Sequence, residues 1–256
     1  MSSSDSGSPP TLNPSTLSIL DSFLSSKLEQ EQLFNSISSP AASALAGLTL
    51  DDDDDAEGGE QRMISLDEYK SAFSEDWQLS QFWYTTPFAN YLAESILSLC
   101  SSSTTTIAYM CCPTAFVASQ HLYPRKNDHL LEFDQRFAVL APRQFVRYDL
   151  NEPDDFPDSL KASVDIAVVD PPYLNRTTNQ KLAQTIHQIL RPDTGKLIII
   201  TSKSIEPSLH EIYTEKPLGP LRQTALVVEH GRLANEFACW GSWEGAERFG
   251  EELFEA

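Results

Sequence analysis

The chain has 256 residues, 41% of them apolar, and a formal net charge of −19. That length suits one sizeable domain with an extension, and no run approaches the ~18 consecutive apolar residues of a membrane span. The acidic balance argues against a nucleic-acid surface, which neutralises phosphates with clustered Lys and Arg, and points to a basic protein partner.

Residues 1–60 hold eleven acids and a single base, Lys27, so −10 of the charge lies there and −9 remains in 61–256. Two domains are expected: a Ser/Pro-rich and acidic extension over 1–60, and a folded domain over 61–256. The first residues show no basic region followed by an apolar one, so no signal peptide is expected. Cys100, Cys111, Cys112 and Cys239 have no metal spacing. The expectation is buried, reduced thiols in a cytoplasmic protein, with no metal.

In chain order, Leu17, Leu20, Leu24 and Leu28 recur at helical spacing, which predicts an amphipathic helix over 16–37. A short helix at 41–48 follows. The run Asp51 to Asp55 then marks a self-repelling linker. The stretch 75–84 crowds Trp77, Phe82, Trp83 and Tyr84 around Gln78 and Gln81. Such aromatics can wall a pocket for a flat ring or clasp the segment to the core. Pro87 opens a helix through Leu99, with Phe88, Leu92 and Ile96 on one face.

Strands are expected over 104–112, 130–133 and 144–148. A nucleotide-binding α/β fold would place a glycine-rich turn after the first; Cys111-Cys112-Pro113 stands there instead. A helix over 178–190, a buried strand over 196–201 and a helix over 205–213 come later. An antiparallel pair over 223–229 and 236–240 closes the sheet edge. Residues 244–256 read as an acidic tail.

The central element is Val164–Tyr173, V-D-I-A-V-V-D-P-P-Y. It predicts a buried parallel strand ended by two prolines, which cannot donate to a ladder. Asp170-Pro171-Pro172-Tyr173 then lies where open α/β sheets bind ligands, outside the carboxyl ends of strands. Asp170 and the Pro171 carbonyl can accept hydrogen bonds from an amine, and the Tyr173 ring can pack against a substrate. The same tetrapeptide is also ordinary turn chemistry. Glu132, Asp149 and Asp170 each follow a predicted strand. A carboxylate after the second strand is placed to accept ribose hydroxyls, although each acid alone could be a cap.

The tetrapeptide resembles the (D/N/S)-P-P-(Y/F/W) signature of amino-group methyltransferases. W-Q-L-S-Q-F-W-Y (77–84), I-A-x-x-x-x-P (107–113), E-F-D-x-R-F (132–137), Y-D-L-N-x-P (148–153) and L-A-N-E-F-x-C (233–239) stand around it. Together they resemble the eukaryotic elongation factor 1-alpha lysine N-methyltransferases of the DPPF/Y type, formerly labelled adenine-N6 DNA methyltransferase-like. That family also lacks the glycine-rich turn.

The resemblance implies an α/β fold, a seven-stranded class I methyltransferase (Rossmann-like) sheet with helices on both faces. It implies a protein-lysine N-methyltransferase that uses S-adenosyl-L-methionine. Trp77, Trp83 and Tyr84 would close over the cofactor. Cys111, Cys112 and Pro113 would lie by its methionine part, Glu132 on the ribose, and Phe133, Asp134 and Asp149 by the adenine. Asp170, Pro171, Pro172 and Tyr173 would face the lysine, Asp170 also bordering the cofactor, with Asn235 and Phe237 on the substrate side. The partner would be elongation factor 1-alpha, a basic protein, and the enzyme a monomer. Two other readings use the same residues: an adenine-N6 nucleic-acid methyltransferase, and a non-catalytic scaffold that kept the fold. A flipped base would need a phosphate-gripping surface, and the Lys and Arg residues here are scattered.

Overall fold

The computed structural model describes residues 13–38, 64–73, 75–76, 78–231, 233 and 235–251. The helix expected at 41–48 and the side chain of Trp77 lie outside these residues. The chain divides into two compact units, 1–59 with 71–74, and 60–70 with 75–256.

In the first unit, α1 spans Pro14–Ser38. Leu17, Leu20, Leu24 and Leu28, the predicted apolar face, are exposed on it.

Helix α2 spans Leu66–Ala72. A capping box starts it: Glu68 N–H donates to Ser65 Oγ, and Ser65 N–H donates to the Glu68 carboxylate. The next helix, α3, spans Thr86–Ser98; Thr85 accepts from Phe88 N–H and Pro87 sits in the first turn. Seven strands follow: β1 Ile107–Met110, β2 Asp128–Glu132, β3 Phe145–Arg147, β4 Ile166–Val169, β5 Lys196–Ser202, β6 Arg222–Gln223 and β7 Phe237–Gly241. Between them lie α4 (Pro113–Leu122), α5 (Arg176–Ile189) and α6 (Glu206–Ile212).

The strands form one sheet in the order β3-β2-β1-β4-β5-β7-β6. The first five run parallel, and β7 is antiparallel to both β5 and β6. Every residue of β1 and β4 is buried, as the unbroken apolar runs require of central parallel strands. Helices cover both faces. Ala108 and Met110 of β1 share a core with Leu182, Ile186 and Ile189 of α5. Tyr109, which alternates to the opposite face, meets Phe116 of α4 edge-on at 5.6 Å.

Two expectations need correction. The late strand predicted over 223–229 ends at Gln223. After one more bond to β7, from Thr224 N–H to Cys239 O at 2.9 Å, the backbone turns to another segment: Thr85 N–H donates to Glu229 O at 3.0 Å, and Gly231 N–H donates to Trp83 O at 3.1 Å. The predicted tail from 244 is packed as far as Gly250. Ala246 and Phe249 are buried, and Tyr91 Oη donates to Gly250 O at 2.7 Å. Gly250 has φ +79°, and a Cβ there would lie 2.7 Å from Leu226 Cα, so glycine is what lets the two backbones meet.

Candidate active site

The strand order reverses between β1 and β4, and a cavity opens there beyond the carboxyl ends of the strands, where open α/β sheets hold ligands. Cys111, Glu132, Asp149 and Asp170, each just at or past the end of β1, β2, β3 or β4, all line it. The ordered acids of the sequence thus converge on one space.

Cys111 takes the place of the absent glycine turn. Its φ is +56°, a region most L-residues avoid. Its N–H donates to Leu131 O at 3.0 Å, which holds the backbone in that conformation. Cys112 precedes Pro113 at the start of α4, and its thiol donates to Val168 O at 3.2 Å. Burial pushes both thiols well up, so they are neutral. Cys111→Val should destabilise the protein by roughly 1–3 kcal/mol in urea unfolding, because a β-branched side chain is poorly tolerated at positive φ. Cys111→Gly should change stability by less than about 1 kcal/mol, since glycine takes that φ without strain.

Glu132 and its neighbours differ in what they offer a ligand. Glu132 Oε1 accepts from Phe133 N–H at 2.9 Å and from Asp134 N–H at 3.2 Å. Burial, with a smaller push from the Asp134 charge, raises its carboxyl to about 7, against the downward pull of these bonds and of one from the Gln81 side chain. Phe133 lines the cavity and is 47% exposed, with the Arg147 guanidinium over its ring 5.8 Å from the centroid. Asp149 lines it too. Asp134 does not. Its carboxylate is engaged by the Arg136 guanidinium, by Arg136 N–H and by Gln81, so it is tied into the turn after β2.

Residues 79–84 form the facing wall. Gln81 N–H donates to Asp76 O at 2.9 Å, closing a tight turn in which Ser80 has φ +56°. Trp83 lines the cavity and packs tilted on Tyr69, with ring centroids 5.1 Å apart. It serves as wall and as clasp together.

Tyr84 does more than wall the space. Its hydroxyl donates to Asp170 Oδ2 at 2.6 Å. The ring is gripped by Phe88, edge-on at 5.0 Å, and by His230 at 4.9 Å. The bridge between Tyr84 and His230 ties that grip to the backbone. Burial pulls His230 down to about 4, so the imidazole is neutral. Asp170 N–H donates to Met110 O at 3.1 Å, so the main chain and Tyr84 fix the carboxylate from two sides. Tyr84 is the one hydrogen-bond partner of this carboxylate among the described residues, and Asp170 lines the cavity. Part of Asp170 faces that space, yet protein surrounds it otherwise, and burial pushes its carboxyl up to about 7.

Pro172 and Tyr173 line the cavity beside Asp170, whereas Pro171 is buried behind them. Asn235 is exposed and Phe237 half-buried, and neither lines the cavity. Phe237 reaches the site through His230, 4.3 Å from it between centroids. Gln81, Thr114, Tyr148 and Asn151 line the cavity as well. Gln81, Tyr148 and Asn151 stand within the quoted motifs, but the sequence assigned a site role to none of the four, because nothing in their spacing tells which motif residues face the cavity. No group of metal-ligating side chains occurs among the described residues, and none of their helices is long and apolar enough to cross a membrane.

This strand order, with an Asp-Pro-Pro-Tyr edge at the switch point and acids beyond the second and third strands, defines a class I methyltransferase. Comparison with known proteins narrows the class. The family model described as probable N6-adenine methyltransferase matches residues 75–245. Protein-lysine N-methyltransferase EFM5 of Saccharomyces cerevisiae is 35% identical over 188 residues, 67% of this chain and 73% of that one. Human EEF1A lysine methyltransferase 1 is 31% identical over 212 residues, 81% of this chain and 92% of the human one. Among solved structures, a predicted O-methyltransferase from Agrobacterium tumefaciens is similar with a TM-score of 0.43 at 16% identity, covering 61% of this chain and 80% of that one. The chain belongs to the family that the matched model and these lysine methyltransferases share.

Proposed function

We propose that this protein transfers a methyl group from S-adenosylmethionine to a lysine side chain of elongation factor 1-alpha. The observation that carries the reading is the Asp170 carboxylate, which lines the cavity and is anchored through Oδ2 by Tyr84.

The cavity's chemistry fits the cofactor. Glu132 lines the cavity where its carboxylate can accept a ribose hydroxyl, and the Phe133 ring offers a plate for an adenine. Two carboxyls with values pushed up to about 7 favour a cationic ligand, which stabilises their ionised forms. When bound, S-adenosylmethionine supplies an electrophilic methyl on a positively charged sulfur.

The chain's own residues then position the amine. A lysine with a reference pKa of about 10.4 is almost wholly protonated at neutral pH and must become neutral to attack. A buried site beside a cation favours the neutral amine. Asp170 pulls the other way, so its part is to accept an amine N–H and to stabilise the ammonium that forms. Tyr84 fixes the direction of that acceptor. Pro172 and Tyr173 border the approach, and their rigidity favours a near-attack geometry.

The choice of lysine over adenine rests on the names of the relatives and on charge. With −9 on residues 61–256, a basic protein is steered to this domain and a polyanion is repelled. Titration with S-adenosylhomocysteine by calorimetry tests the cofactor assignment. One-site binding is expected, and a flat titration of folded protein would overturn it.

A further inference from the structure

We propose that His230 is a positioning residue for methyl transfer, whose ring aims the Tyr84 hydroxyl at Asp170. The inference rests on the reading of Asp170 as the group that orients the amine.

The backbone brings the two rings together. Tyr84 and His230 face each other as an antiparallel bridge. The hydrogen bonds are made by the residues on either side of them, from Thr85 N–H to Glu229 O at 3.0 Å and from Gly231 N–H to Trp83 O at 3.1 Å. An antiparallel pair bonded only through its neighbours is the closely spaced kind, and its two side chains stand on one face in contact. The ring centroids are accordingly 4.9 Å apart. Phe237, the first residue of β7, packs on His230 at 4.3 Å, and Phe88 of α3 meets Tyr84 edge-on at 5.0 Å.

Aim matters because the Tyr84 hydroxyl stands at the far end of its ring, where a small turn about the first side-chain torsion displaces it most. Its bond to Asp170 Oδ2 is 2.6 Å long, and a donor moved away by about 1 Å no longer makes such a bond. Truncating His230 would open space for that turn. The imidazole contributes shape rather than chemistry. Both its nitrogens are buried without a hydrogen-bond partner among the described residues, so no ligand group reaches them. His230 is not among the residues that line the cavity, so its effect on the reaction passes through Tyr84.

A double-mutant cycle separates aiming from a general loosening of the fold. Wild type, His230→Ala, Tyr84→Phe and the double variant are compared in methyl transfer to elongation factor 1-alpha, with His230→Phe as the variant that keeps a flat ring. His230→Ala and Tyr84→Phe should each lower kcat about ten- to a hundredfold, the order of loss from a misplacement of about 1 Å. For His230→Ala, KM for the protein substrate and calorimetric affinity for S-adenosylhomocysteine should stay within a few-fold of wild type. In the Tyr84→Phe background there is no hydroxyl to aim, and the same truncation should cost less than about threefold. His230→Phe should recover most of the lost kcat. Should His230→Ala not fold, His230→Val, which suits an extended segment, takes its place in the cycle. An equal loss of kcat in both backgrounds would make His230 merely structural and overturn the proposal. Undiminished kcat in either single variant would overturn it too, as would His230→Phe no more active than His230→Ala. Near wild-type turnover by Asp170→Ala would instead overturn the reading of Asp170, and the proposal with it.

Discussion

Asp170→Ala should lower methyl transfer by about 10²–10³-fold or more, the usual cost of removing one preorganised polar group from a transition state. Affinity for S-adenosylhomocysteine should stay within a few-fold, and the protein should stay folded with a somewhat lower melting temperature, since the orphaned Tyr84 hydroxyl costs about 1–3 kcal/mol. The fold tolerates the loss because the charged carboxyl is already disfavoured where it lies. Its value is pushed up to about 7 by burial, the Tyr84 hydrogen bond pulling it down and Glu132 pushing it further up. Asp170→Asn is the companion variant, since its amide oxygen can still accept from Tyr84. The raised value also gives a sign for pH. The native carboxyl ionises only as pH rises through about 7, and a cation in the cavity favours the ionised form. Affinity for S-adenosylmethionine should therefore rise as pH goes up through that value. The rise should be smaller for S-adenosylhomocysteine, whose sulfur is neutral, and Asp170→Asn should narrow the difference between the two. Near wild-type turnover in a folded Asp170→Ala protein would remove Asp170 from the chemistry.

Glu132→Gln should weaken cofactor binding by about tenfold to a hundredfold, the worth of a charge-assisted bond of roughly 1.5–3 kcal/mol. Gln is the informative replacement. Its amide oxygen can still accept from Phe133 N–H and Asp134 N–H, the two bonds that fold the turn after β2. Only the acceptor facing the cavity changes, from oxygen to an N–H₂ group. Glu132→Ala adds the loss of that turn and should weaken binding further, with a lower melting temperature. Unchanged calorimetric affinity in Glu132→Gln would take Glu132 out of the site.

Much of the sheet was legible because periodicity and composition act locally. The apolar run before Asp170 could only be a central strand, and Pro87 could only begin a helix. The convergence of Glu132, Asp149 and Asp170 followed from strand order alone. What was not legible depended on long-range contacts. Tyr84 stands 86 residues before Asp170, and nothing in the spacing tells that its hydroxyl meets that carboxylate. Asp134 looked equivalent to Glu132 as a strand-end acid until Arg136, two residues on, engaged it. The segment after Gln223 has strand-like composition, yet Glu229 and Gly231 pair with 83–85 instead. One signal was present and overlooked: Ser65 and Glu68 spell a capping box, and α2 begins there.

The most direct test of lysine methylation by this protein is a transfer assay. Purified protein is incubated with S-adenosylmethionine labelled in its methyl group, and with elongation factor 1-alpha in one tube and DNA in another. The account predicts label on a lysine of the protein substrate, none on DNA, and none with the Asp170→Ala variant. Label on DNA adenine, or an unlabelled protein substrate from enzyme shown to bind the cofactor, would contradict it.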